Sequence, residues 1–519
     1  VALAARVAAV VALSAPAASA VTLRVHPDSA SAVGYPYFAT ILEANAAAAA
    51  GDSIEVSSAG TPYVHTAVMT LVNGVVYRGG FGPEFEGPNT TLYETTIELQ
   101  APVGTDDSVI DTGAADASTV FAGFTVTGGR SSFSGGGIFC ASGSSLTIRN
   151  CRIFRNFAGG IGGGIAISGG SAAVVFNCDL EENVAALRGG GFAVAAGADA
   201  ATIEFCRVTA CSAATSFQTD GGGGGIFSAS PILVTRSEIR SCWSGRNGGG
   251  LLARNTDLRG HDNQFAGNVA ENSGGAAYHE NGDGEHLASS FEGCVARAGR
   301  GGGLVFQGGT WLVSGCFVRA CTTATRGGGI YWDMPVGAEL RFTEVVRNVA
   351  SEGGGVGIVG DPFRSLSVDL VSCTVALNSA LADSTAGGGI HVFPEGNFAD
   401  EILNCIVAEQ LAGAGIACEG ALNQPNVRHC CVWNRDAANN DPEYGRGCAD
   451  RTGINGNIRA DPRFCDPSAA PPQVGVNQLS PCLGAGEGGT DIGAHPGSSD
   501  CTFVSVEATS WGRIKSLFR

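Results

Sequence analysis

One signature recurs along most of this chain: a run of glycines followed by an apolar residue. The apolar member falls at Ile138, Ile165, Phe192, Ile226, Leu251, Leu304, Ile330, Val356 and Ile390. Degenerate copies stand at Gly274-Gly275-Ala276-Ala277 and Gly413-Ala414-Gly415-Ile416. Most copies are 25 to 27 residues apart, and two intervals lengthen to 34. A fixed period of this size marks a solenoid of stacked units. A second column keeps register, with Cys151, Cys178 and Cys316 each 14 residues before the apolar position. Five residues after that column come Asn156, Asn183, Cys211, Cys242, Asn268, Cys321, Asn348 and Asn378. The text between alternates, as in Leu146-Thr147-Ile148-Arg149-Asn150-Cys151, which is the two-residue period of a strand.

Short strands joined by Gly and Asn turns cannot bury an apolar face alone, but stacked copies make one cylindrical core. With 79 Gly but 19 Pro and no Gly-X-Y period, the chain is neither collagen nor a flexible linker. Runs of Gly also break the helices that leucine-rich, ankyrin or tetratricopeptide units require. The expected fold is all-β: a single-stranded right-handed parallel β-helix of about 11–13 coils, with repeated Asn turning and bonding to the next coil. Within it, Cys151, Cys178 and Cys316 read as a buried thiol ladder and Asn156, Asn183, Asn268, Asn348 and Asn378 as an Asn ladder.

The ends read differently. Residues 1–20 look like an export signal, with Arg6, an apolar run and Ala18-Ser19-Ala20 as a cleavage site. Residues 21–100 are expected to hold an N-terminal cap with a short helix and the first coils, and 101–417 the regular repeats. Residues 418–501 carry Cys418, Cys430, Cys431, Cys448, Cys465, Cys482 and Cys501, read as a disulfide-stapled C-terminal cap. Residues 502–519 form a short basic tail, ending Trp511 to Arg519, that suggests a sorting or anchoring stub.

The Gly-Gly-Gly-Ile unit paired with apolar-x-x-Asn, in full at Phe265-Ala266-Gly267-Asn268, resembles the repeat of polymorphic outer membrane proteins. Those are surface-displayed β-helix adhesins, so the resemblance implies a secreted or surface-attached β-helix over about residues 124–410. The short helix with Phe38, Ile41 and Leu42, followed by the strand of Ile54 and Val56, resembles the entry coil of pectin-lyase-like proteins. Only eighteen residues follow Cys501, so a membrane barrel like that of the resembled family is not expected within this sequence.

Fragments of polygalacturonase motifs occur at Asp106-Asp107, Asn255-Thr256-Asp257, Gly260-His261-Asp262 and Arg513-Ile514-Lys515, but in the wrong order and several coils apart. The local group Asp257, His261 and Asp262 is the catalytic candidate, since a His between carboxylates can act as a general base. His279, Asp283, Glu285 and His286 are the metal candidates; such a set could ligate Ca²⁺ or Zn²⁺, although its spacing matches no known loop. Trp243, Trp311, Tyr331 and Trp332 are candidate glycan contacts if they face outward. No cofactor is otherwise implied.

A net charge of −18 argues against a nucleic-acid partner. No stretch is apolar for long enough to make a transmembrane helix. The leading expectation is an exported, non-catalytic monomer of the cell surface or extracellular space that adheres or binds polysaccharide. Its contact loops are expected at the two insertions, near Ser212 to Gly221 and Asn378 to Ala386. A polysaccharide lyase or glycoside hydrolase on the flank is the competing class, and a structural surface-layer component the third. A compact carboxylate or Arg/Lys cluster on one outer sheet would favour the enzyme, a flat aromatic or Asn/Thr-rich sheet binding, and a featureless acidic cylinder a structural role.

Overall fold

The computed structural model describes residues 20–28, 35–100, 107–213, 221–360, 365–393, 397–398, 401–419, 424–434 and 442–495. The expected export signal, Asp106, most of the first insertion, Cys501 and the basic tail with Arg513-Ile514-Lys515 lie outside them.

The chain winds as a parallel β-solenoid. Its first sheet has 16 strands, its second and third have 14 each, and a ladder of two-residue strands has 10. Strands one coil apart pair in parallel, as Ser145–Arg149 does with Ala172–Phe176. Fourteen rungs exceed the 11–13 expected because rungs such as Met69–Thr70, Ile110–Asp111 and Tyr444–Arg446 lack the glycine signature. One apolar cluster runs from Leu23 to Val432 through the interior.

Two one-residue bends shape each coil. After the first-sheet strand comes a left-handed residue, such as Asn150, Asn177, Phe205 or Phe342, with φ between 47 and 53°. After the second-sheet strand comes another, such as Arg155, Glu182, Ala320 or Arg347, with φ between 51 and 56°. This region is strained for residues with a Cβ, by about 1–2 kcal/mol each. The residue after each bend supplies a compensating acceptor. In the first column Cys206 donates its N–H to Ser237 Oγ at 3.1 Å, Ser237 to Asn263 Oδ1 at 3.0 Å, and Ser289 to Cys316 Sγ at 3.4 Å. In the second, Asn156 donates to Asn183 Oδ1 at 3.0 Å and Cys242 to Asn268 Oδ1 at 3.0 Å. Cys, Ser, Thr and Asn interchange along these columns because each offers a lone pair to the preceding coil. Cys151, Cys178 and Cys316 are buried thiols, and Asn156, Asn183, Asn268, Asn348 and Asn378 are buried as well.

The glycine runs make the third corner. A Cβ on Gly163 would meet Val184 O at 2.4 Å and Gly190 O at 2.5 Å, so the next coil's backbone occupies the space of any side chain.

At the N-terminal end, the helix Ile41–Ala47 starts with a capping box between Thr40 and Glu43 and buries Ile41 and Ala44 in the main cluster. In the Cys-rich region Cys418 and Cys448 form a disulfide, and Cys465 is disulfide-bonded too. Cys430, Cys431 and Cys482 remain thiols. Residues 464–492 lie along the flank of the second sheet. There Phe464, Val474, Cys482 and Ile492 pack on its outward residues Val346, Ala376, Ile406 and Cys431. His495 Nε2 reaches Glu344 Oε1 at 2.5 Å, and Arg319 pairs with the same carboxylate.

Candidate functional site

The candidates singled out in the sequence do not converge. Asp257 precedes the first-sheet strand Leu258–His261 and His261 ends it. Four residues of strand span about 13 Å, so the two cannot share one reacting atom. His261 Nε2 instead meets Glu285 Oε1 at 2.9 Å on the outer face, and Asp262 takes the bend at φ 55°. The metal candidates are split by strand alternation. His279 and His286 point into the core, where they are 0% and 1% exposed, while Asp283 and Glu285 lie outside. Among the described residues no group of three or more His, Cys, Asp or Glu is placed to hold a metal ion.

The aromatics are corrected in the same way. Trp311 and Trp332 are core residues. Tyr331 points outward but is covered by a ridge of Phe227, Leu252, Tyr278, Val305 and Phe393, with the Arg300 guanidinium 5.0 Å from its ring centre. Trp243 is half-buried and donates Nε1–H to Glu271 at 2.9 Å.

A different group does come together on the outer face of the first sheet. Glu339 pairs in register with Asp369, and the pairing of Leu370 with Ile402 puts Glu401 beside Asp369 on the next rung. The Glu401 N–H donates to Asp369 Oδ1 at 3.1 Å. Three carboxylate side chains therefore stem from consecutive rungs, whose strands lie about 4.8 Å apart. Alternation requires their direction: Ala338, Leu340, Val368, Leu370 and Ile402 are the core residues on either side.

The three are not electrostatically equivalent. Glu339 pairs with Arg341, and Glu401 accepts from Arg428 Nε at 2.5 Å. Among the described residues Asp369 pairs with no arginine of its own. Partial burial, then the charges of Glu401 and Glu339, raise its pKa above the usual carboxylate range, against the Glu401 N–H and Arg341, which lower it. The middle group is thus the one whose proton is held more tightly than in an ordinary aspartate.

The approach to this ladder is open and mixed in character. Met334 and Val336, at 41% and 53% exposure, precede the strand carrying Glu339, and Phe342, at 45%, follows it. Met334 and Val336 also close one end of an open groove of about 530 Å³ lined by Asn255, Asp257, Asn281 and Asp283. Its floor is low because Gly282, Gly308 and Gly309 carry no side chains. Asp257 and Asp283 therefore belong to a groove wall. Hydroxyl-bonding amides and carboxylates beside exposed apolar atoms are the composition that receives a sugar chain.

The ladder escapes a search at the 26-residue period because its members are 30 and 32 residues apart. Aligned on the first bend column they coincide: Glu339, Asp369 and Glu401 each stand four residues before Thr343, Cys373 and Cys405.

The family model described as right handed beta helix region matches residues 39–214 and 136–331, more than half of the chain. The chain belongs to the right-handed β-helix family. Among solved structures, this β-helix protein is similar to the catalytic unit of a thermostable GH87 alpha-1,3-glucanase from Streptomyces thermodiastaticus strain HF3-3. The identity is 12% and the TM-score 0.29, over 86% of this chain and 71% of that one. A comparison with curated proteins finds no match. No helix among the described residues of this β-helix protein is long and apolar enough to cross a membrane.

Proposed function

We propose that this β-helix protein is an exported polysaccharide-acting enzyme that seats a glycan chain in the groove ending at Met334 and Val336 and hydrolyses it at the carboxylate ladder. The observation that carries the reading is the placement of Asp369, with its raised pKa, between Glu339 and Glu401 on adjacent rungs. Glycoside hydrolysis needs one protonated and one ionised carboxyl group, about 5–5.5 Å apart for retention and about 6.5–9.5 Å apart for inversion. Strands one rung apart are spaced by about 4.8 Å, which lets neighbouring carboxyl groups come near the shorter distance. Asp369 gives its proton to the glycosidic oxygen as the bond breaks, and Glu339, three residues beyond Val336 at the groove's end, attacks the anomeric carbon. Water then releases the sugar, returning its proton to Asp369. Phe342 offers a face for a pyranose ring next to the cleavage point. Export rests on the apolar leader ending in Ala18-Ser19-Ala20.

Binding without cleavage is the second reading. It is favoured by the ion pairs that Arg341 and Arg428 make with Glu339 and Glu401, which reduce the nucleophilicity of both. Either reading puts the glycan in one place. Hydrogen-exchange footprinting with a panel of plant, algal and bacterial polysaccharides should protect residues 281–283 and 334–342 together. Protection confined to other coils, or none with any glycan, would overturn both readings.

A further inference from the structure

We infer that Arg78 and Arg149 form a second, separate subsite, for the carboxylate of a uronic-acid unit in an acidic polysaccharide. Arg78 and Arg149 both register with Ala122, so the three occupy one outward column on successive coils of the first sheet. The small Ala122 leaves a gap between the two long side chains, and Gly79 and Gly123 keep the adjoining backbone low. Thr90, with Pro88, forms the opposite wall of a cavity of about 260 Å³.

What distinguishes this gap is that two arginines without carboxylate partners line it together. Many arginines on these sheets pair with carboxylates: Arg152 with Glu181 at 2.8 Å, Arg207 with Asp179 at 3.2 Å and Arg254 with Glu280 at 2.6 Å. Among the described residues neither Arg78 nor Arg149 makes an ion pair or a hydrogen bond through its side chain. The carboxylates nearby are already engaged. Glu55, one rung from Arg78, holds Arg24 at 3.2 Å, and Glu94 accepts from the Thr125 hydroxyl at 2.9 Å. In a chain of net charge −18, two cations without an ion pair facing one cavity can receive an anion.

The two rungs separate their Cα atoms by about 9.6 Å, within reach of two guanidinium forks closing on one planar carboxylate. A sugar-borne anion fits better than a free one because the column continues from Arg149 to Phe176, a ring for the adjoining pyranose. Thr90 and Asn150 at the cavity edge can meet its hydroxyls.

The test is calorimetric titration of the whole protein with pentagalacturonate and tetramannuronate, with maltopentaose as the neutral probe. At least one uronate should bind, with affinity falling as salt rises, and maltopentaose should bind at least about tenfold more weakly. Arg78→Gln and Arg149→Gln should each weaken binding by about tenfold, the scale of one charge-assisted contact. Arg259→Gln, at an exposed site farther along the same sheet, should leave it unchanged. Equal binding of the neutral oligosaccharide, no loss in the double arginine variant, or inorganic phosphate binding as tightly as the uronates would each overturn the inference. Asp369→Asn should leave this binding intact, so its outcome is separable from that of the cleavage reading.

Discussion

His279 and His286 face each other inside the β-helix, Nε2 to Nε2 at 3.0 Å. Only one proton can lie between the two nitrogens, so one ring donates and the other accepts, and burial disfavours the charged form of both. They are packed among Phe265, Phe291, Phe306 and Trp311. The pair fills a core gap that its neighbours along the column fill with carbon.

That placement makes the core acid-sensitive. Burial pushes His286 down to about 3 and His391 to about 4, and burial with His286 nearby drives His279 well below its ordinary value. In each case the folded pKa is below the unfolded one. The stabilisation is therefore complete above about pH 6.5 and lost as pH falls through the folded values. His391 alone accounts for roughly 3 kcal/mol between neutral pH and pH 4. Urea midpoints should fall steeply from pH 7 to pH 4, and less steeply in His391→Gln. Equal pH slopes for the two proteins would contradict this.

The bend columns are satisfied by lone pairs, whichever element carries them. Cys316 receives the Ser289 N–H on sulfur, in the column where Ser237 and Thr343 use oxygen. Cys316→Ser should change stability by less than about 1 kcal/mol, and Cys316→Val should cost about 1–3 kcal/mol by leaving a buried N–H unmet. Chemical denaturation of both variants measures the difference.

Asn348 does more, accepting from the Cys321 N–H at 2.9 Å while donating to Val318 O at 2.9 Å and Asn378 Oδ1 at 3.1 Å. Asn348→Ala should cost about 2–5 kcal/mol, and Asn348→Leu should not rescue it although it restores volume. Thermal unfolding would show a similar deficit for both.

Phe342 gains nothing for the fold by being exposed at φ 47°, a strained conformation for an aromatic residue. Phe342→Gly should raise or preserve stability while weakening glycan retention several-fold in affinity electrophoresis. Undiminished retention would remove Phe342 from the site.

The fold was legible because two columns and a glycine signature each report one corner of the coil. Burial direction was harder to read. Trp311, Trp332, His279 and His286 looked like surface chemistry by residue type, but an even number of strand positions from a core residue sends them inward. His286 is two residues from Gly284, which registers with the core residue Trp311. Asp257, a catalytic candidate by residue type, and Asp283, a metal candidate, line a groove wall. The carboxylate ladder was missed because irregular coil lengths between Glu339 and Glu401 hide it from any fixed period.

The central claim, that Asp369 and Glu339 cleave a glycan, is tested most directly by following oligosaccharide products by mass spectrometry across the polysaccharide panel. Wild-type protein should shorten at least one polymer. Asp369→Asn and Glu339→Gln should each lose at least about a hundredfold in rate, the scale of general acid–base catalysis, with glycan binding retained. No product from any polymer, or products undiminished in both variants, would contradict the account.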